Sequence, residues 1–400
     1  MAEPAVARSS ALEIFLVFLK LGLTCFGGPV AHLGYYRAEF VARRKWLDAA
    51  GFADLLALSQ FLPGPSSSEF GIGVGLLRAG LPGGVAAWLG FTAPSALLMI
   101  GFGYGIERVG NVAGSAWLHG LMLVAVAVVA LAVWQMARSL ANDLPRGALA
   151  LAAAGMTLTL PVTWSQLAAI AVGALVGRLF LRAQARADAQ PFHLQIPRAA
   201  SVAALALFFA LLAASPLLAA ATGSTAAALF DGFYRAGSLV FGGGHVLLPL
   251  LDAVVVPKGW VSQDAFLAGY GAAQALPGPL FTFAAYLGVV MNVPPGGLAG
   301  AALALVALFL PGFLLMVGAF PFWANLRASA AMQSTLAGVN AAVVGLLLAA
   351  LYRPVFTSAV FDVRDFAFVL AALALLGLRV PPWAVVLAGA GAAEALARFA

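Results

Sequence analysis

Long apolar runs separated by short polar intervals dominate the chain. They fall at about 11–26, 51–80, 83–106, 115–138, 146–161, 164–181, 201–221, 226–249, 264–291, 296–320, 334–351, 365–379 and 382–398. A helix crosses the hydrocarbon core with about 20 apolar residues, so this pattern predicts an all-α, polytopic membrane protein. The widest polar interval in the middle, Arg182 to Arg198, is too polar for the bilayer core and reads as a central linker. A first unit over 1–182, a linker with an extra spanning helix over 183–225 and a second unit over 226–400 are expected.

The two halves repeat each other. Phe26-Gly27-Gly28-Pro29, Trp46 and Gln60-Phe61-Leu62-Pro63-Gly64-Pro65 recur as Phe241-Gly242-Gly243-Gly244, Trp260 and Gln274-Ala275-Leu276-Pro277-Gly278-Pro279. Phe26 and Phe241 stand 215 positions apart, Trp46 and Trp260 214, Pro63 and Pro277 214, and Pro94 and Pro311 217. Landmarks in one order at nearly constant offset indicate tandem duplication, a common plan for secondary transporters.

Each half breaks its first two apolar runs at these landmarks. Leu-Pro-Gly-Pro removes amide donors and fixes φ, and an interior proline costs a helix about 3 kcal/mol. The helix must stop there and restart, with Pro65 suited to a first helical position. A simple proline kink is the plainer alternative, but two prolines around a glycine, present in both halves, exceed what a kink requires. If both broken runs return to the side they entered, the first repeat has about four spanning helices, 201–221 adds one, and the second repeat enters from the opposite face. That topology leaves Arg108, Arg235, Lys258, Arg353, Arg364 and Arg398 outside and the other 15 of the 21 basic residues inside, the bias expected of insertion. Inverted repeats, a cytoplasmic N-terminus and a periplasmic C-terminus follow as expectations.

Composition narrows the function classes. Hydrophobic residues make up 63% and charged residues 9%, which excludes a soluble surface. The net charge of +6 is spread among apolar runs with no basic cluster, so no nucleic-acid partner is expected. The single cysteine, Cys25, cannot form an intramolecular disulfide, and no metal-ligand spacing or P-loop occurs. No metal, cofactor or catalytic residue is expected, and residues 11–25 read as a retained segment rather than a cleaved leader.

The broken helices carry the candidate chemistry. Restarted helices aim free N–H groups and the positive dipole end at the interior, which suits an anion. Gly27, Gly28, Pro29, Gly243 and Gly244 shape the first breaks; Pro63, Gly64, Pro65, Pro277, Gly278 and Pro279 shape the second. Ser66, Ser67, Ser68 and Thr282 add hydroxyls, although serine at such a place also serves as a helix cap. Gln60 and Gln274 add amide donors. Arg37 and Arg78 are the basic candidates, Arg78 for its planar fork, whereas Arg43, Arg44 and Lys45 fit the insertion signal. His32 and His245 follow the glycine breaks and could titrate near neutrality or hydrogen-bond internally. Glu39, Asp54 and Glu69 are the candidate proton-coupling groups or counter-ions, Glu69 as a partner for Arg78.

At these residues the chain resembles the chromate ion transporter family in its long two-domain form. The runs FGGPVAHLGYYRAEFVARRKWL, ADLLALSQFLPGPSSSEFGIGVG and GFTAPSA of the first half carry the resemblance, as do FGGGHVLLPLL and GYGAAQALPGPLFTFAAYLG of the second. It implies chromate efflux and resistance driven by the proton-motive force, sulfate as a competing dianion, oppositely oriented halves and a bacterial inner-membrane location, and it leaves room for a homodimer. Glu69 departs from the neutral polar residue expected at its position. A passive anion channel, a sulfate-type transporter and, more remotely, a lipid-phosphate hydrolase are the competing readings.

Overall fold

The computed structural model describes residues 9–109, 115–160, 162–181, 196–241 and 243–399; the predicted polar linker falls almost wholly outside them. Among the described residues every regular element is helical. The first repeat comprises α1 (Ala11–Thr24), α2 (Gly28–Tyr36) running into a π-helical turn (Arg37–Arg43), α3 (Ala49–Phe61), α4 (Ser66–Val109), α5 (Ala116–Leu140), α6 (Leu144–Thr159) and α7 (Val162–Phe180). After α8 (Arg198–Thr222), the second repeat comprises α9 (Thr225–Leu239), a 3₁₀ turn (Gly244–Val246) leading into α10 (Leu247–Val255), α11 (Gln263–Ala273), a 3₁₀ turn (Leu280–Thr282) leading into α12 (Phe283–Val290), α13 (Gly297–Ala319), α14 (Trp323–Ala328), α15 (Ala330–Ala350), the short α16 (Thr357–Ala359), α17 (Val363–Gly377) and α18 (Pro382–Phe399). Ser10, Asp48, Ser262 and Asp362 each accept a backbone N–H of the first turn that follows, which fixes where α1, α3, α11 and α17 begin.

Both broken runs of the first half bring their two arms together, and the first folds back on itself as an antiparallel hairpin. In the first, Phe18 of α1 packs on Phe40 with ring centres 5.3 Å apart, and Glu13 pairs with Arg44 at 2.8 Å. In the second, Phe52 of α3 meets Phe70 of α4 at 4.8 Å, and Leu55 lies so close to Gly73 that a Cβ there would come within 2.6 Å of it. In the first run the contact partners move outward from the break on both sides, which requires the chain to return the way it came; in the second, α3 crosses the start of α4. α4 then turns at Ala79 (φ −145°) and Gly80 (φ 63°). Its second arm, residues 81–109, runs back against its first, residues 66–78, with Gly75 and Gly83 in backbone contact. The second half repeats these contacts: Gly269 lies against Tyr286 and Gly288 against Gly300.

Among the described residues five stretches are long and apolar enough to cross a membrane: Ser66–Ile106, Ala116–Leu140, Arg198–Thr222, Gly297–Ala328 and Ala330–Ala359. α6 and α17, at 16 and 15 residues, are shorter than the full spans expected of them. The repeats exchange partners. α15 packs on α7 where Gly338 meets Gly173 and Gly177, and α5 packs on α18 where Gly120 meets Gly389 and Ala393. Small residues let these backbones approach, as lipid-immersed helices require. Leu207, Phe209, Leu217 and Leu218 of α8 are exposed, a surface suited to acyl chains rather than water.

Candidate functional site at the helix breaks

The hairpin tips meet across the repeats in a reciprocal way. The Gly64 N–H donates to the Val240 carbonyl at 2.8 Å, and the Gly278 N–H donates to the Cys25 carbonyl at 2.8 Å. The second-hairpin tip of each repeat is thus bonded to the first-hairpin tip of the other, as a pseudo-two-fold relation dictates. Gly278 has a φ of +90°, where a side chain is strained, and a Cβ on it would lie 2.8 Å from Ser95 Oγ and 3.2 Å from the Phe91 carbonyl. Gly64 (φ +149°) faces Gly312 of α13 in the matching position. Both contacts fall partway along α4 and α13, beside Pro94 and Pro311. Each proline withdraws an N–H from the carbonyl four residues earlier, and Gly22 and Gly237 pack closely against this weakened stretch, at the Phe91 and Leu308 carbonyls respectively.

The tips bring together most of the residues expected there. Gly27 (φ +96°) and Gly28 (φ +76°) turn the chain into α2; the side chain of Pro29 lies outside the described residues. His32 is buried beside the Cys25 backbone, its ring edge-on to Phe91 at 5.3 Å. Pro63 and Ser66 are half-buried; Gly64, Pro65, Ser67, Ser68 and Glu69 are buried. Ser68 Oγ has no hydrogen-bond partner among the described residues. In the second half, Pro277 and Pro279 are buried, and Thr282 Oγ1 donates to the Pro279 carbonyl at 2.9 Å, so this hydroxyl is spent on the break itself. Gly243 (φ +138°) precedes Gly244, where a Cβ would lie 3.6 Å from the Leu280 side chain, so the two restarted helices of this repeat begin side by side. Tyr270 joins them: its hydroxyl lies 2.8 Å from His245 Nδ1, and Gln274 Nε2 nearby in the chain is buried with no hydrogen-bond partner among the described residues.

Other candidates lie elsewhere. Gln60 and Arg37 are exposed. Arg78 stands at the far end of its hairpin arm, about 18 Å from Ser66 at 1.5 Å per residue, where it donates to Ser9 Oγ at 3.0 Å and stacks over Trp46 at 5.0 Å. It therefore does not pair with Glu69, nine positions back on the same straight arm. Glu39 holds Arg43 at 2.8 Å and Arg44 at 2.7 Å. Asp54 accepts from Arg327 at 2.5 Å and from Trp323 Nε1 at 2.9 Å. Sequence reasoning did not single out Tyr270, Ser95, Gly312 or Arg327 as site neighbours. Gly312 and Ser95 sit next to the repeated prolines, a signal that could have found them; Tyr270 and Arg327 carry no such mark.

Residues 259–326 contain no Lys or Arg, and neither do residues 46–77. The second-hairpin segments themselves therefore bring helix N-termini, hydroxyls and amides to the tips and no fixed cation of their own.

The family model of the chromate transporter matches residues 12–178 and again residues 227–394. The chain belongs to the chromate transporter family. It is 33% identical to a chromate transport protein of Pseudomonas aeruginosa over 340 residues, covering 84% of this chain and 79% of that one. It is 27% identical to a chromate transport protein of Cupriavidus metallidurans over 344 residues, covering 84% and 81%. An uncharacterised transporter of Methanocaldococcus jannaschii is 26% identical over 350 residues, covering 86% and 84%. No solved structure matches the chain. The two stretches matched by the chromate transporter model contain the four tips, and α8 lies between them.

Proposed function

We propose that this chain is a secondary transporter that exports chromate across the bacterial inner membrane and so confers chromate resistance. The observation that carries the reading is the reciprocal pair of tip contacts, Gly64 to Val240 and Gly278 to Cys25, which joins the breaks of the two repeats. Such an arrangement suits a tetrahedral dianion, whose oxygens take N–H donors from several directions. The repeats are inverted in this reading, with the N-terminus cytoplasmic and the C-terminus periplasmic. Hairpins that return to their own side leave an odd number of crossings between equivalent elements, and the basic residues then gather inside.

The driving force is the electrical part of the proton-motive force. Moving a dianion outward across an inside-negative membrane releases roughly 4.6 kcal/mol per 100 mV, twice the value for one charge. Everted membrane vesicles energised by respiration have a positive interior and are expected to accumulate radiolabelled chromate, with a protonophore abolishing the uptake and excess sulfate competing. Cells carrying the protein are expected to grow in chromate that arrests cells without it. Unlabelled chromate on the far side should accelerate labelled uptake, because a carrier returns faster when loaded. Uptake that ignores both the protonophore and the trans anion would sink this reading in favour of a passive channel.

A further inference from the structure

Glu69 is fully buried, at 0% exposure, and neither carboxyl oxygen has a hydrogen-bond partner among the described residues. It lies in the first turn of the helix restarted after Pro65, and its side chain folds back over the tip. A Cβ on Gly64 would lie 3.0 Å from Glu69 Cδ, and a Cβ on Gly312 would lie 2.8 Å from Oε1. The carboxyl therefore fills the space left by two glycines, one from each repeat, next to the bond from Gly64 to Val240. Ser68 Oγ, also buried and unpartnered, is its neighbour in the chain.

Among the described residues no cation serves this carboxyl. α13 carries no titratable residue along its length. From α3, Asp54 is taken up by Arg327. α2 presents His32 and Tyr36, against Phe91 and Phe70 respectively. From α9, Asp231 pairs with Arg235, and Tyr234 donates to the Phe208 carbonyl. On α1, Glu13 pairs with Arg44 and Lys20 is exposed. Within α4 the basic residues, Arg78 and Arg108, stand far from the tip. An ionised carboxylate left alone in such a site is prohibitively costly, and a second anion beside it is costlier still.

We propose that Glu69 binds a proton cooperatively with the oxyanion at the first repeat's break, so that each dianion moves with one proton and the pair carries a single net negative charge. The inference rests on the transport reading above and adds its proton stoichiometry. The proton sits on the carboxyl while the anion is bound and leaves to water on the side where the anion leaves. By linkage, the proton strengthens anion binding and the anion strengthens proton binding by the same factor. Export retains an electrical driving force for one charge rather than two.

The test uses the purified full chain in proteoliposomes with radiolabelled chromate, in alkaline buffer where the anion is the dianion. A potassium diffusion potential of about 60 mV should shift wild-type accumulation about tenfold, the value for one charge, and a one-unit pH difference should shift it about tenfold more. Glu69→Gln, neutral without a proton, should lose the pH response and gain a potential response of about a hundredfold, the value for two charges. Wild-type accumulation that follows two charges and ignores the pH difference, or a Glu69→Gln protein that keeps the wild-type pH response, would overturn the proposal. If Glu69→Gln fails to insert, the wild-type protein is treated with a hydrophobic carbodiimide, which attacks protonated carboxyls in apolar sites. Modification of Glu69 that falls as pH rises, with a midpoint moved to higher pH in the presence of chromate, supports the proposal; a Glu69 that stays unmodified overturns it. Wild-type vesicles with no chromate counterflow would refute the transport reading, while the carbodiimide result still reports on Glu69.

Discussion

The ion pair between Asp54 and Arg327 ties α3 of the first repeat to α14 of the second, across 273 positions of chain. Both side chains are only 7% exposed, and Trp323 Nε1 adds a second donor to the same carboxylate oxygen. Asp54→Asn leaves the Arg327 charge buried without its carboxylate. Arg327→Met leaves Asp54 with the indole donor and no cation. Each single change is expected to destabilise the protein by about 3–5 kcal/mol, the usual cost of stranding one member of a buried pair. Asp54→Asn with Arg327→Met removes both charges and should cost clearly less than the sum of the singles, with a coupling of roughly 2–3 kcal/mol. Trp323→Phe removes one hydrogen bond to a charged group and should cost about 1.5–3 kcal/mol. Thermal inactivation of the detergent-purified protein, followed as loss of the monodisperse gel-filtration peak, ranks these variants. The expected order of midpoints places the double variant above both singles. Single variants that melt with the wild type, or a double variant whose loss equals the sum of the singles, would refute the claim that the pair is a desolvated unit.

Three further outcomes are expected. Gly278→Ala must adopt φ +90° and push on Ser95 and the Phe91 carbonyl, costing about 2–4 kcal/mol and abolishing vesicle transport; Gly223→Ala, with φ +60° but open space around it, should cost only about 1–2 kcal/mol and leave transport near wild type. Pro63→Ala with Pro65→Ala, which permits a continuous helix through the break, should lower transport while protein remains in the membrane fraction by immunoblot. Arg78→Ala loses its bonds to Ser9 and its stacking on Trp46, so the melting midpoint should fall while the apparent KM for chromate stays unchanged; a KM raised tenfold would return Arg78 to the anion site.

What the sequence displays and what it hides divide along a physical line. The breaks were legible because proline and glycine act on the backbone of their own segment, and duplication printed them twice at offsets near 214. The hairpin geometry follows from the same local rule, supported by where the basic residues fall. The partners were not legible. Asp54 could not be matched to Arg327, nor His245 to Tyr270, because such pairs depend on which helix faces which after the chain has packed. Arg78 misled for the same reason: adjacency to a broken segment placed it near the tip in sequence, whereas the hairpin carries it to the opposite end.

The duplication also sharpens the asymmetry of the chemistry. At an offset of 214 the backbone-shaping residues recur, Pro63 with Pro277, Gly64 with Gly278 and Gln60 with Gln274, but Glu69 corresponds to Phe283, Arg78 to Asn292 and Asp54 to Ala268. The backbone architecture is therefore held in two copies while each of these charges is held in one. A pseudo-two-fold scaffold with two identical charged sites would bind two anions with equal repulsion on both sides. One carboxyl, set where Gly64 of one repeat meets Gly312 of the other, instead gives the pair of tips a single acidic group, and the contact that forms it is between the repeats. A change in how the hairpin tip sits on α13 must then change the surroundings of Glu69, and a change in its charge must bias that contact. The same linkage ties the proton to the movement of the tips as well as to the anion.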